Sequence, residues 1–152
     1  MKTRIAFLLF MLLCVSSCQE QVIFDEQAAR REILAIVKDS EAGWNQGSIE
    51  KFMQGYWKSD SLRFASGGTI SYGWQPVFQR YTTRYPGKAA MGELTFSNLD
   101  VTVISADAGL VFGKWQLLRE QDAPWGLFTL FLRKTREGWR IVHDHTSSAE
   151  SE

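Results

Sequence analysis

Histidine, cysteine and proline are scarce in this chain, with two, two and three residues respectively, and 17 basic side chains balance 17 acidic ones. The charge balance removes the basic stripe that a nucleic-acid partner needs. Both cysteines, Cys14 and Cys18, precede the first helical stretch, so neither can staple the domain that follows. The two histidines stand two residues apart, and a metal ion held there would lack a third histidine or thiol, leaving only a distant carboxylate. Gly67-Gly68 has no Lys-Ser/Thr ending and no helix directly behind it, which excludes a phosphate loop. Serine-nucleophile patterns are absent. Apolar and aromatic residues are plentiful, at 45% and 13% of the chain, enough for one domain with a substantial core.

The first residues read as a targeting signal. Lys2 and Arg4 supply a positive start, and the apolar run Ile5 to Val15 is too short to cross a bilayer comfortably. Val15-Ser16-Ser17-Cys18 resembles the lipobox of bacterial lipoproteins, cut just before the cysteine. Residues 1–17 are therefore expected to be removed and Cys18 to carry a diacylglycerol. This predicts a domain tethered to the bacterial cell envelope, at the periplasmic or outer-membrane face. Residues 18–23 serve as tether, 24–147 as the folded domain and 148–152 as a frayed tail.

Helical periodicity begins soon after the tether. Ala29, Ile33, Ile36, Val37, Ser40 and Trp44 form one stripe, and Asn45-Gln46-Gly47 ends it. Ser48 caps a shorter helix carrying Ile49, Phe52, Met53 and Tyr56. Short strands are expected at Leu62–Ala65 and around Ile70–Gly73, then a third helix with Pro76 in its first turn and Trp74, Val77, Phe78, Tyr81 and Tyr85 on one face. From Gly92 onward the chain reads as antiparallel strands. Leu94 and Phe96 alternate, whereas Leu99, Val101 and Val103 alternate with the opposite parity, which predicts a bulge near Ser97-Asn98. Helices first and strands afterwards mean an α+β fold.

The last strand, Gly138 to Ser147, holds both histidines. Simple alternation puts Trp139, Ile141, His143 and His145 on one face and Arg140, Val142, Asp144 and Thr146 on the other. His143 and His145 then project together at roughly 6–7 Å spacing, as structural hydrogen-bonding groups, as general acid/base groups or as two ligands of a metal. Asp144 is expected opposite Thr129, beside Arg133 and Arg140, in an ion pair or interface hydrogen bond, with a role as catalytic base the weaker alternative. Trp44, Tyr56, Tyr81, Tyr85, Trp115 and Phe128 form an aromatic set expected to line a pocket with the two histidines. Arg63 and Arg119 are the cations expected to meet an anionic ligand.

Trp44-Asn45-Gln46-Gly47, Phe52-Met53-Gln54-Gly55-Tyr56-Trp57, Leu62-Arg63-Phe64, Gly73-Trp74, Arg80-Tyr81 and the closing Gly138-Trp139-Arg140-Ile141-Val142-His143-Asp144-His145-Thr146-Ser147 resemble the SnoaL-like branch of the nuclear transport factor 2 superfamily. The resemblance spans about Phe24 to Ser147. It implies a cone: three N-terminal helices packed in a strongly bent, mixed or antiparallel sheet of about 4–6 strands, with a cavity at one end and a homodimer formed through the outer face of the sheet. The superfamily includes ketosteroid isomerases, whose aspartate and tyrosine set has no counterpart that can be placed here. It also includes kinase association domains, assembly modules with a similar His-x-His strand. The expected role is thus binding of a small hydrophobic or amphipathic molecule. The alternatives are a cofactor-free isomerase, cyclase or dehydratase, in which His143 or His145 moves the proton and Tyr81 or Tyr85 stabilises an oxyanion, or a protein-interaction module.

Overall fold

Asp25 fixes where the first helix begins. In the computed structural model, which describes residues 24–149, its carboxylate accepts the Ala28 N–H at 2.9 Å and caps α1, Glu26–Asn45. The expected signal segment, Cys18 and the tether lie outside the described residues. α1 buries Ala29, Ile33, Val37, Ser40 and Trp44, the stripe its spacing predicts, and pairs Arg30 with Glu26 one turn earlier at 3.5 Å. Gly47, at φ 78°, turns the chain out of the helix. Ser48 accepts the Lys51 N–H at 3.1 Å to start α2, Ile49–Phe52, which tightens into a 3-10 turn at Met53–Gly55. α3 spans Trp74–Arg84, and a short α4, Lys88–Met91, follows where the sequence pattern gave no helix.

Six strands complete the fold: β1 Arg63–Ser66, β2 Thr69–Tyr72, β3 Glu93–Ser105, β4 Ala108–Leu118, β5 Trp125–Thr135 and β6 Gly138–Thr146. They form one sheet in the order β2-β1-β6-β5-β4-β3, in which β1 runs parallel to β6 and all other neighbours are antiparallel. The expected bulge is present. Ser97 pairs with Lys114 and Asp100 with Phe112, so Asn98 and Leu99 oppose Gly113 alone, with Asn98 at φ 53°. The parity of the apolar residues recorded this extra residue, and the strand bends there.

The N-terminal half of α1 packs hard against the sheet. A Cβ on Gly109 would sit 2.6 Å from Ile33 Cδ1 and 3.7 Å from the Trp139 ring. Ile33, Val111, Leu132, Trp139 and Ile141 are all essentially buried. The C-terminal half, from Val37 to Trp44, instead faces open space. One end of the cone is therefore solid and the other hollow. Beyond β6, Trp115 Nε1 donates to Ser147 O at 2.9 Å and Ala149 N to Trp125 O at 2.8 Å.

Trp139 is buried and His145 exposed, although simple alternation groups them on one face. Trp139→Ala is expected to cost about 3–5 kcal/mol of stability and His145→Ala less than about 0.5 kcal/mol. Urea denaturation of both variants measures this difference, and equal losses would contradict the assignment of faces.

Candidate functional site

The site begins with one residue out of step. On β6, Ile141 pairs with Leu132 and His143 with Phe131, leaving Val142 without a partner on β5. This bulge inverts every side chain after it. Asp144 and Thr146 turn into the cone, and His143 and His145 turn out. Expecting both histidines in the pocket is therefore incorrect. Their rings lie 6.5 Å apart, at the expected spacing, but on the outer face. There His143 neighbours Arg63 on β1 and Phe131 on β5. Burial, then the Arg63 charge and His145, hold the His143 imidazole below its usual value, favouring the neutral ring.

The outward placement of Asp144 is incorrect as well. It stands opposite Leu130, not Thr129. Arg133 pairs with Asp107 and Arg140 with Glu137, so neither arginine reaches it. Across the inner face runs the row Phe64, Asp144, Leu130, Val111 and Val101, in which Asp144 is the one polar member. It is 4% exposed. Tyr56 donates its hydroxyl to Asp144 Oδ2 at 2.7 Å. The backbone fixes that tyrosine from both sides: Tyr56 N donates to Met53 O and Trp57 N to Ile141 O, each at 3.0 Å. Asp144 Oδ1 is buried and makes no hydrogen bond within the protein.

Burial pushes the Asp144 carboxyl up to about 7, against the opposing pull of the Tyr56 hydrogen bond. Burial first, then the charge on Asp144, keeps Tyr56 and Tyr81 well above the usual phenol value. Both phenols therefore stay protonated, and Tyr56 is a hydrogen-bond donor.

Around Asp144 opens a cavity of about 500 Å³, within the range of small-molecule sites. Trp44, Tyr56, Tyr81, Tyr85, Trp115 and Phe128 all line it, joined by Phe52, Phe64 and Phe96, which sequence reading did not place there. Edge-on contacts hold the rings, Trp44 with Tyr85 at 4.7 Å and Phe52 with Tyr81 at 5.0 Å between centroids. Trp44 Nε1 donates to Met91 O at 3.1 Å. Gly113 admits the Phe128 ring, which a Cβ there would meet at 2.5 Å. Ser40 adds a second buried oxygen without a protein partner. The two cations expected at the pocket are elsewhere. Arg63 is exposed on the sheet's outer side, and Arg119 pairs with Asp122 at 2.5 Å beside a separate groove. Arg80 and Arg84 of α3 line the cavity instead.

A signal for the missed inversion exists in the sequence. Ile141-Val142 places two apolar residues in succession, breaking alternation as the β3 bulge does.

A family model described as a SnoaL-like domain matches residues 33–151. Among solved structures, a nuclear transport factor 2-like protein of unknown function from Shewanella oneidensis is 36% identical, with 77% of this chain and 97% of that one covered and a TM-score of 0.74. A ketosteroid isomerase-like protein from Erwinia carotovora atroseptica is 17% identical over 84% of this chain and all of its own, with a TM-score of 0.68. A nuclear transport factor 2-like superfamily protein from Salmonella enterica is 16% identical, covering 84% and 95%, with a TM-score of 0.64. No curated protein matches the sequence.

The environment of Asp144 makes stability depend on pH. On unfolding, its carboxyl returns to an ordinary value near 4, whereas the folded chain retains the proton up to about pH 7. Between these limits the folded state binds the extra proton, so stability falls as pH rises, by up to about 4 kcal/mol. Asp144→Asn keeps an acceptor for Tyr56 and removes the titration. It is expected to match the parent near pH 4 and exceed it at pH 8, as measured by urea unfolding across that range.

Proposed function

The chain belongs to the SnoaL-like domain family, whose model covers residues 33–151, and from that membership we propose that its cone binds a small, mostly apolar molecule in the aromatic cavity. One observation carries the reading: Asp144 Oδ1 is buried on the cavity floor with no protein partner. An unsatisfied buried polar atom costs roughly 1–3 kcal/mol, and a ligand that pairs with it recovers that cost. Tyr56 occupies the other oxygen, so a protonated Asp144 presents its O–H to the cavity. The matching ligand group is an acceptor, such as a carbonyl or ether oxygen. The Ser40 hydroxyl offers a second polar contact along the same wall.

A catalytic reading has one observation in its favour. A carboxyl pushed up to about 7 can both give and take a proton near neutral pH, so Asp144, not a histidine, would move the proton in a cofactor-free isomerisation, cyclisation or dehydration. Binding is preferred because the described cavity lining contains a single carboxyl, with phenols and arginines as its other ionisable groups. Asp144 could begin such a reaction only from its ionised form, which burial disfavours.

The reading includes a lipid anchor. Lys2, Arg4, the Ile5–Val15 apolar run and the Ser16-Ser17-Cys18 ending support it. Among the described residues no helix is long and apolar enough to cross a membrane, so attachment would rest on the acylated cysteine. Cys18→Ala is expected to move the protein from the membrane fraction to the soluble one in its own host. Unchanged fractionation would remove the anchor from the proposal.

Native mass spectrometry of the protein purified from its own host tests the central reading. A retained small molecule is expected, held more tightly at pH 6 than at pH 8 because the ligand pairs with protonated Asp144. Asp144→Leu should lose it. Recovery without any bound mass at either pH contradicts tight binding, and retention in Asp144→Leu contradicts the assigned contact.

A further inference from the structure

The cavity has two chemically different ends. Its floor holds Asp144 and Ser40, both buried. Its open end is formed by Ser66, Gly67, Arg80, Arg84, Thr146 and Ser148, all exposed or half-buried. Arg80 and Arg84 stand one turn apart on α3, each next in sequence to a tyrosine of the aromatic wall. Neither makes an ion pair among the described residues, whereas Arg30, Arg119, Arg133 and Arg140 all do. The partners of Arg80 are neutral: Nη1 donates to Ser71 Oγ and Nη2 to Ser66 O, both at 3.3 Å, and the guanidinium lies 5.1 Å from the Phe64 ring centroid. These contacts hold the guanidinium in place without neutralising it. The cavity lining therefore carries two uncompensated positive charges at its mouth, and its one carboxyl is buried further in.

We propose that the ligand is an amphipathic organic anion, its acidic group held at the mouth by Arg80 and Arg84, its apolar body among the aromatic rings and an acceptor oxygen against Asp144. The inference rests on the cavity being a binding site. Guanidinium groups pair well with carboxylate, sulfonate and phosphate oxygens because their fork of donors matches two acceptors at once. A purely apolar ligand would leave both charges unused. A cationic one would be repelled at entry.

Two fluorescent probes that share a ring system test this directly. Anilinonaphthalene sulfonate carries one negative charge, and N-phenylnaphthylamine is its uncharged counterpart. The sulfonate is expected to bind the protein roughly tenfold more tightly, about the worth of one charge-assisted hydrogen bond. Arg84→Gln removes charge without disturbing any described hydrogen bond, and Arg80→Gln/Arg84→Gln removes both charges. The sulfonate should lose its advantage stepwise in these variants while the uncharged probe keeps its affinity. Thr146→Trp, which narrows the mouth, should weaken both probes, with circular dichroism verifying that each variant is folded. If both probes respond to Thr146→Trp but bind equally, or if the sulfonate's advantage survives the double substitution, the anion inference fails and the cavity reading stands. If neither probe binds, or Thr146→Trp affects neither, the cavity reading fails and the inference fails with it.

Discussion

The arrangement depends on a single insertion in the hydrogen-bond ladder between β5 and β6. Without the extra residue at Val142, His143 and His145 would enter the cone and Asp144 would face outward. Because side chains alternate along a strand, one unpaired residue exchanges the chemistry of the two faces completely. With it, the inner surface keeps one acid in an apolar row and the outer surface receives two imidazoles beside Arg63, Phe131 and Thr129. The elevated carboxyl, the hydrogen bond from Tyr56 and the unpaired Oδ1 all follow from that inversion.

Most of the fold was legible because its signals are local. Ser48 caps α2 as its side chain allows, Gly47 turns left-handed after α1, and Pro76 sits in the first turn of α3 where no N–H is needed. The β3 bulge was legible because two apolar series flank it with opposite parity. The β6 bulge has the same cause but a weaker record. After Ile141 the strand offers only Val142 as a further apolar residue, and two histidines make as plausible a pocket lining as one aspartate. α4 left no periodic trace in a stretch of four residues.

Part of the aromatic wall was legible, since Trp44, Tyr81 and Tyr85 share helix faces with buried neighbours, whereas the places of Phe52, Phe64 and Phe96 in it were not. The ends of the cavity were not. Arg80 and Arg84 read from sequence as ordinary helix-surface cations, and nothing local brings them to Ser66 and Thr146. That meeting requires α3 to lie across the open end of the sheet. Arg63 and Arg119 failed as candidates for the corresponding reason: one occupies the outer parity of β1, and the other is satisfied three residues away by Asp122.

The parallel pairing of β1 with β6 constrains how this domain is assembled. β1 belongs to the early half of the chain, yet apart from β2 its only sheet neighbour is the strand made last. Phe64 and Asp144 are adjacent in the finished sheet but about half the chain apart in synthesis, and joining them carries the loop-closure cost of the intervening segment. The antiparallel hairpins from β3 to β6 can form from near neighbours, but the floor of the cavity cannot. A nascent chain lacking its final strand has neither the acid nor the surface on which β1 and β2 rest. The cavity floor is therefore complete only once β6 lies between β1 and β5.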